Sequence, residues 1–513
     1  AKYRTVLKQT LAFNPEILQR FVNFMNNPDE ETAVEQFGKG DKYFGVAVLL
    51  ATLPGLPMFG HGQIEGLREK YGMEYRRAYW DETPDQPFIR HHENQIFPLL
   101  RRRRLFSGAS AFQLYDFVSG GRIEENVYAY SNRLGEERAL VVYHNHPGST
   151  GGWLRQAVPR AIAGGDDPIT ECLSLVEGLG LPTGSNWFVR CREHCSGQEF
   201  LLSTQQLADQ GLYLQLGPYH YRVFLDLQPL PDQDGRWAAL HHQLQGRGVD
   251  DLDRERRKLV LGHLLEASRK ALALPLLTQL AELLEHPPSS WSQQPVVESF
   301  GQRFTALLEL LQPHLRQSLP AAARLQNFWH ELAQLQRLLS LTSRSAAEGK
   351  LPAFWQAPQL EQPPGPRRRE LRQVLIPWLA LRQLADPAAG PGAELQTAEQ
   401  LDNLLLADGL EQALPPESAV ESALLLRLLA RHGGFWGGQT PAAEFATLFA
   451  DPQVKRFVGL HWAEGAQWFH QERFETLAFW LGVSGALIHL RHQTTKTAAL
   501  AALLPLQKLH DEV

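Results

Sequence analysis

Two carboxylates follow directly after a short apolar run near the start of the chain. In RFVNFMNNPDEETA, the run Phe21–Met25 is typical of a short buried strand, and it ends at NNPDE. Asn, Pro and Asp favour turns, so Asp29 and Glu30 lie just past the end of that strand. Two interpretations stay open: a loop that only joins a strand to a helix, or a catalytic loop whose Asp29 faces a substrate.

A second set of polar side chains follows the next apolar run. LPMFGHG ends in glycines, and His61, Gln63 and Glu65 lie at or beyond its end. Between the two runs, GDKYFGVAVLLATLPG predicts a helix with Asp41 as its N-cap. Alternating strand and helix at this spacing indicates parallel βα units. Ligand chemistry in such folds collects at the carboxyl ends of strands, where Asp29 and the second set both lie.

A further helix is predicted for HENQIFPLLRRRRLF. Its positive cluster, Arg101–Arg104, is interpreted as a solvated helix end rather than an anion site. His91 and His92 follow a loop and are interpreted as surface residues.

Antiparallel strand patterns dominate the middle of the chain, residues 111–235. Val127–His146 predicts two strands around a Gly turn, and Gly211–Leu227 predicts a second hairpin that turns at Gly217–Pro218. An insertion rich in Gly and short helical patterns, residues 151–201, lies between them. Such hairpins are typical of a small β-sandwich.

Residues 236–513 have apolar side chains at three- and four-residue spacing, which predicts an α-helical domain. Tryptophans are spread along these helices, and core packing is the preferred interpretation over a sugar-stacking platform. They are Trp329, Trp378, Trp436, Trp462, Trp468 and Trp480.

Composition excludes several functional classes. The 513 residues are 43% hydrophobic and 21% charged, an ordinary globular balance, and the net charge of −6 does not imply a nucleic-acid partner. The apolar stretch VAVLLATLPGLPMFG is too short to span a membrane and is broken by Pro54 and Pro57. Three cysteines do not make a disulfide framework and fit a reducing, cytoplasmic compartment.

Those cysteines do not supply a metal site either. CREHC places Cys191, His194 and Cys195 close together. A structural zinc site takes four ligands with paired spacings, and this is at most half of one. No metal site and no cofactor is predicted.

The segment FVNFMNNPDE…KYFGVAVLLATLPGLPMFGHGQIEG resembles the end of the catalytic barrel in the α-amylase superfamily, the family-13 glycoside hydrolases. In that family a late barrel strand ends in an Asn-His-Asp-Glu-like loop. A helix ending in TLPG-P follows, and the next strand leads into a Gly-Gln-Glu-like loop. On this resemblance Phe21–Met25 is strand seven, Asp41–Leu53 its helix, Pro57–His61 strand eight and Asn94–Phe106 the last barrel helix. The likeness covers residues 12–230.

The resemblance implies a multidomain fold. Residues 1–110 are then the C-terminal part of a (β/α)8 barrel, a partial barrel remnant. Residues 111–235 are the antiparallel β-sandwich that follows it, with the inserted segment 151–201. Residues 236–513 form an all-α C-terminal domain that resembles no family we can name.

The resemblance also implies an activity, the hydrolysis or transglycosylation of α-glucans with retention. Such chemistry needs a nucleophilic carboxylate and a carboxylic acid about 5 Å apart. The family adds a third carboxylate that binds sugar hydroxyls at the transition state, and Asp29 matches it. Asn27, His61, Gln63 and Glu65 are the expected substrate-binding residues.

The chain departs from the family pattern at two positions. Pro28 stands where the family usually has a sugar-binding His, and Ile64 stands where a Glu is most usual. The nucleophile and the acid belong to earlier barrel strands, which would precede residue 1, and two strands do not close a barrel. We therefore expect the C-terminal portion of a longer enzyme that is inactive without its N-terminal barrel portion.

Two alternatives stay open beside the enzyme. The first is a non-catalytic α-glucan-binding or scaffold protein with a degenerate barrel, which Pro28 favours. The second is a helical interaction protein that acts through residues 236–513. For both the enzyme and the glucan-binding alternative, the expected partner is an α-glucan or maltooligosaccharide. Neither nucleic acid nor a membrane is expected.

Overall fold

The computed structural model describes residues 2–72, 76–163, 169–315, 319–347, 366–385, 393–433, 441–463 and 466–490. Contacts divide the chain into two compact units, one up to Leu259 and one from Val260. Trp436, one of the tryptophans predicted to lie in the core, falls outside the described residues.

The first unit opens with helices around two short strands. In chain order these are α1 (Lys2–Phe13), a 3₁₀ turn (Pro15–Arg20), β1 (Val22–Phe24), α2 (Ala33–Phe37), α3 (Asp41–Thr52), β2 (Leu56–Met58), α4 (Gln86–His91), a π turn (His92–Ile96), α5 (Phe97–Arg101) and α6 (Arg103–Ser107).

Strands β1 and β2 pair in parallel along all three residues, with Val22 opposite Leu56. Parallel strands need a crossover between them, and the largely buried helix α3 supplies it. The predicted order of strand, helix and strand is confirmed. The predicted N-cap is wrong: Gly40 caps α3 and Asp41 is its first helical residue, where a carboxylate interacts favourably with the helix dipole.

One face of the β1–β2 pair is open to solvent. Its side chains are 47% exposed at Val22, 43% at Phe24, 62% at Leu56 and 37% at Met58. Alternate strand residues share a face, so these four form one surface, which we call the apolar face. Parallel sheets are ordinarily buried on both faces, and the apolar face therefore departs from the usual environment of such strands.

The helix predicted to start at His92 begins six residues earlier. Helix α4 starts at Gln86, with the Asp85 carboxylate accepting from the backbone N–H of Phe88. After the π turn, the helix is interrupted at Arg102 before α6. The helical prediction is confirmed, with a different start and an added break.

Within the arginine cluster, Arg103 is half-buried and points inward. It donates to the carbonyl oxygens of Ala51 (2.9 Å) and Leu53 (2.7 Å), and also to that of Gly55. These are the carbonyls at the end of α3 and just after it, which no helical N–H satisfies. The interpretation of the whole cluster as a solvated helix end is therefore wrong for Arg103.

The rest of the first unit is mainly antiparallel sheet. Its elements are β3 (Gln113–Ser119), β4 (Arg122–Ile123), β5 (Val127–Leu134), β6 (Glu137–His144), β7 (Thr150–Ala157), β8 (Arg160–Ala163), β9 (Ile169–Glu171), α7 (Leu175–Gly178), β10 (Trp187–Glu193), β11 (Glu199–Ser203), α8 (Thr204–Asp209), β12 (Leu212–Leu216), β13 (Tyr221–Pro231), α9 (Arg236–Leu244) and α10 (Leu252–Val260).

Nine of the described strands form one sheet, in the order β11-β10-β13-β6-β5-β3-β7-β12, with β4 on β3. The predicted hairpin Val127–His146 is confirmed as β5 and β6. The predicted hairpin Gly211–Leu227 is wrong, because β12 pairs with β7 whereas β13 pairs with β6 and β10. Instead of the two sheets of a sandwich, these nine strands make one continuous sheet.

That sheet must curl. Strands β12 and β13 lie five positions apart in the hydrogen-bonded order, yet only residues 217–220 join them. In a flat sheet, five steps would separate them by about 24 Å, whereas five residues of extended chain span at most about 18 Å. Register shifts at Arg190/Arg192 and Tyr115/Phe117 help the bend.

Both faces of the curled sheet are buried at its central strands β5 and β6. The inner face encloses a cluster that includes Leu154, Val189 and Leu214, from strands far apart in the order. The outer face packs against the helices around β1 and β2, where the Tyr143 ring meets Gly45 so closely that a Cβ would lie 2.0 Å from a ring carbon. The sheet is thus the support that holds helix α3.

The second unit is helical. Its elements are α11 (Gly262–Ala271), α12 (Leu274–Leu283), a 3₁₀ turn (Pro288–Gln293), α13 (Pro295–Leu311), a 3₁₀ turn (Gln312–His314), α14 (Ala321–Ala347), α15 (Pro366–Glu370), a π turn (Leu371–Leu375), α16 (Ile376–Leu381), a 3₁₀ turn (Arg382–Leu384), α17 (Ala393–Asn403), α18 (Leu406–Ala413), α19 (Pro416–His432), α20 (Pro441–Ala450), α21 (Pro452–Val458), β14 (His461–Ala463), β15 (Ala466–Trp468) and α22 (Gln471–Leu490).

The antiparallel pair β14–β15 is the exception to the predicted all-helical pattern. Trp378 and Trp480 are buried in the core as predicted, whereas Trp468 lies on β15 and is 51% exposed. None of the helices that the structure describes combines the length and apolar composition needed to cross a membrane.

A cavity of about 470 Å³ lies within the second unit and is lined in part by Glu370, Glu421, Glu472 and Arg369. Glu370 is buried, and its Oε1 accepts from the Arg369 guanidinium at 2.8 Å. Its Oε2 has no hydrogen-bond partner among the described residues. Burial raises the pKa of Glu370 above its ordinary value, against the opposing effect of Arg369.

We predict that Arg103→Met lowers the free energy of unfolding by about 2–3 kcal/mol, because it leaves half-buried carbonyl groups without their charged donor. Urea unfolding of the full chain measures the change. The matched control is Arg104→Met at the exposed neighbouring position, which should shift the midpoint little. Equal effects of the two substitutions would contradict the inward role of Arg103.

We predict that Glu370→Gln stabilises the chain near neutral pH and does so less at pH 3.5. A folded-state pKa above the unfolded value means that the wild-type chain loses stability as pH rises through that interval. Glutamine carries no charge, so the variant avoids this loss. Thermal unfolding at pH 3.5 and pH 7 measures the difference, with Glu309→Gln, at an exposed position of α13, as control. A gain of the same size at both pH values would refute the raised pKa.

Candidate functional site

The carboxyl ends of β1 and β2 lie at one edge of the pair because the strands are parallel. Residues 25–32, which follow β1, are called the first loop. Residues 59–72 and 76–85, which follow β2, are called the second loop. The loops touch where a Cβ on Gly60 would come within 2.4 Å of the Asn26 amide, so this approach requires a glycine.

Two exposed ion pairs also join the second loop to the residues after β1. Lys70 Nζ lies 3.9 Å from the Glu31 carboxylate, and Arg68 Nε lies 3.4 Å from that of Glu35, on α2. Exposed pairs of this kind contribute little stability. They show instead that the second loop lies beside the first.

Asp29 lies at the tip of the first loop. The Asn27 Oδ1 accepts from the Asp29 backbone N–H at 3.0 Å, and the Asn27 carbonyl accepts from the Glu30 N–H at 3.2 Å. This is an Asx turn, in which a side chain imitates backbone hydrogen bonding. Asp29 is exposed, and among the described residues no hydrogen bond or ion pair holds its carboxylate. Its backbone is fixed while its carboxylate is open to solvent.

Gln63 is only 2% exposed and holds the two loops together. Its Oε1 accepts from the Gly60 N–H at 2.9 Å, and its Nε2 lies 3.3 Å from the Met25 sulfur. The side chain therefore closes the second loop and contacts the first from within.

A buried tyrosine–histidine pair supports that loop from below. Tyr43, on α3, donates to the Gln63 carbonyl at 3.1 Å, and its hydroxyl lies 3.0 Å from His92 Nε2. His92 Nδ1 lies 3.0 Å from the Phe88 carbonyl. Burial lowers the pKa of His92 and raises that of Tyr43, so both are neutral at pH 7. His92 is fully buried, and its interpretation as a surface residue is wrong.

His61 and Glu65 occupy opposite environments on the second loop. His61 is exposed and its ring packs edge-on against Tyr71, with centroids 4.3 Å apart. Glu65 is half-buried, and its charge acts on the nearby Tyr43 and His92. Its backbone carbonyl accepts from the Asp85 N–H at 2.9 Å.

Two further carboxylates fold the end of the second loop back on itself. Glu69, which is 5% exposed, accepts from the backbone N–H groups of Tyr79 (2.8 Å) and Trp80 (3.0 Å). Glu82 accepts from the N–H groups of Arg68 and Glu69, each at 2.8 Å. A buried carboxylate is tolerated when such donors replace water. Glu74, between these two residues in the sequence, lies outside the described residues.

Sequence reasoning missed four of the residues that hold the loops, namely Tyr43, His92, Glu69 and Glu82. Tyr43 and His92 are 49 positions apart, and the only local signal is that His92 follows Phe88 by one helical turn, on the same buried face. Glu69 and Glu82 lie in irregular chain, where no periodicity marks a buried side chain.

The edge as a whole is suited to binding hydroxyl groups. It presents an open carboxylate at Asp29, whose backbone is fixed, and an exposed imidazole at His61, whose ring packs on Tyr71. Among the described residues, no side-chain hydrogen bond links the Asp29 carboxylate to another acid. Those residues also hold no cluster of three or more His, Cys, Asp or Glu suited to a metal ion.

We predict that Glu69→Ala accelerates tryptic cleavage after Arg76 and Arg77 several-fold. Loss of the carboxylate frees the amides of Tyr79 and Trp80 and lets the loop open, and opening governs proteolysis of folded chains. Mass spectrometry of the early fragments measures the rate.

The control for this experiment is Asp81→Ala, at an exposed position on the same loop. It should leave the cleavage rate near that of the wild type. Unchanged cleavage in Glu69→Ala would show that the carboxylate does not hold the loop.

No protein-family model and no curated protein matches the chain. Solved structures of α-amylase-family enzymes align with part of it. One is an α-amylase from Geobacillus thermoleovorans in complex with acarbose, with 13% identity, a TM-score of 0.27, and coverage of 44% of this chain and 47% of that one. Another is a debranching enzyme from Nostoc punctiforme soaked with acarbose, with 16% identity, a TM-score of 0.25, and coverage of 44% and 37%. An Anoxybacillus α-amylase aligns at 13% identity and a TM-score of 0.26, covering 41% of this chain and 39% of that one. The chain spans less than half the length of each of these structures.

Proposed function

We propose that this chain is the C-terminal portion of an α-amylase-type glycoside hydrolase that acts on α-glucans or maltooligosaccharides with retention. The observation that carries the proposal is the in-register parallel pair β1–β2 joined by α3. It brings Asp29 and His61, from the two loops in which the sequence resembles that family, to one edge. Neither a cofactor nor a metal enters the proposed chemistry.

Asp29 is proposed to bind two hydroxyl groups of the sugar whose glycosidic bond is cleaved. An ionised carboxylate on fixed backbone can strengthen these hydrogen bonds as the ring flattens, which stabilises the transition state over the ground state. The open carboxylate and its Asx turn support this role.

The four other predicted residues divide between two proposed roles. His61 and Glu65 are proposed to contact the sugar from the second loop. Asn27 and Gln63 are proposed to act on substrate binding by holding the loops, since the first accepts from the Asp29 N–H and the second from the Gly60 N–H.

The nucleophile and the acid are proposed to come from an N-terminal barrel portion of the same protein. Further strands would continue the parallel sheet and cover the apolar face, whose four side chains are 37–62% exposed. The chain by itself is then expected to release no sugar. All three cysteines are unpaired, which suits the reducing conditions of the cytoplasm, the proposed location.

A non-catalytic glucan-binding protein is the second candidate, and Pro28 favours it. This exposed residue stands beside Asp29 and has no N–H or side-chain donor for a sugar. Under this reading the full-length protein binds maltooligosaccharides and releases no reducing ends.

We predict that Asp29→Asn in the full-length protein lowers kcat by about 10²-fold or more, the effect of losing a charged transition-state contact. Release of reducing ends from maltoheptaose measures it. The matched control is Glu30→Gln, the exposed neighbouring acid, which should keep turnover within about twofold of the wild type, because it makes no proposed substrate contact.

Near-normal turnover of Asp29→Asn would make Asp29 a turn residue and refute its catalytic role. Absence of turnover in the wild-type full-length protein, together with measurable maltoheptaose binding, would favour the second candidate.

A further inference from the structure

Two adjacent aromatic side chains on the second loop are largely exposed to solvent. Tyr79 is 73% exposed and Trp80 is 57% exposed. Scattered exposed apolar residues are common, so exposure alone carries no meaning. What separates this doublet from the others is the way its backbone is held.

The backbone of the doublet is fixed by a buried charge. Both of its N–H groups donate to the Glu69 carboxylate, which is 5% exposed, and the N–H of Glu69 itself donates to Glu82. A loop that only connected β2 to α4 could leave these amides to water and avoid burying a carboxylate. The arrangement instead orders the backbone and leaves the rings outside, so a ligand that stacks on them meets little further ordering cost.

The doublet belongs to the same edge as Asp29. The Lys70–Glu31 and Arg68–Glu35 ion pairs tie the start of this segment to the residues after β1. Glu69 lies between Arg68 and Lys70 in the sequence. Because the doublet is hydrogen-bonded to Glu69, it lies at the same edge. The ring of Tyr71, packed on His61, adds aromatic surface to the second loop.

We infer that Tyr79 and Trp80 form a stacking platform for a pyranose ring of the glucan chain. This inference rests on the proposed function and names a binding subsite for it. The C–H faces of a pyranose are apolar and pack on aromatic rings, while its hydroxyl groups stay at the rim. The exposed side chains of Arg76, Arg77 and Asp81 provide donors and acceptors there.

The charge around the doublet selects against the other common ligand of exposed aromatic rings. Nucleic-acid bases stack on such rings, but only beside a positive groove that follows the phosphates. Here the positive charges of Arg76 and Arg77 lie next to Asp81 and Glu82 in the chain, and the described residues of the two loops carry eight acidic side chains against four basic ones. A neutral polyol meets no such repulsion.

Binding of maltoheptaose to the full chain tests the platform, measured by isothermal titration calorimetry. We predict that Trp80→Ala and Tyr79→Ala each weaken binding about tenfold, which corresponds to the loss of one aromatic stacking contact. Trp80→Phe should retain most of the affinity because it keeps a ring. Trp468→Ala, which removes an exposed tryptophan of β15, is the matched control and should bind like the wild type.

The outcomes separate this inference from the proposed function. Wild-type affinity in both alanine variants, with circular dichroism confirming their fold, would overturn the platform and leave the role of Asp29 standing. An absence of maltoheptaose binding by the wild-type chain would also overturn it. Weakened binding in the ring variants, together with normal turnover of Asp29→Asn in the full-length protein, would support the platform and refute the catalytic role.

Discussion

The candidate site depends on one constraint, the parallel pairing of β1 with β2. Parallel strands bring both carboxyl ends to the same edge, and they require a crossover helix to do so. That helix is held against the curled sheet, where Gly45 meets the Tyr143 ring and Thr52 Oγ1 lies 2.5 Å from the Tyr130 hydroxyl. The large sheet thus sets the position of an edge built from only two three-residue strands.

Above the strands, order in the loops comes from polar side chains that bind backbone groups. Asn27, Gln63, Glu69 and Glu82 each accept from at least one backbone N–H within the loops. Such bonds contribute modestly one at a time, but an unmade bond at a buried group is costly. The loops therefore hold a defined shape without secondary structure of their own, while Asp29, His61 and the aromatic doublet stay exposed to solvent.

The sequence predicted the elements that periodicity and turn residues mark, and it failed where contacts are distant. The strand–helix–strand order of β1, α3 and β2 was readable because an apolar helix between turn signals has few alternatives. Gly217–Pro218 led to the wrong prediction of a hairpin, because residues that form a hairpin turn also suit the short link between two distant strands of a curled sheet. Arg103 was not separable from its identical neighbours, since only the fold shows which guanidinium reaches the carbonyls at the end of α3. Among the candidate residues, Gln63 was selected from the sequence, but its burial was not predicted. Nothing in the local sequence pointed to Glu69.

The apolar face bears on the proposed N-terminal barrel portion. A protein that used only the loop edge would need no apolar residues on the apolar face of β1 and β2. Polar residues there would lower the risk of association with other protein chains. Yet Val22, Phe24, Leu56 and Met58 are all apolar, at every position that shares the face. A covering layer explains all four at once, because further parallel strands bury such surface. This pattern supports the proposed covering of the pair by further barrel strands, which both candidate functions allow, and it does so independently of any residue at the loop edge.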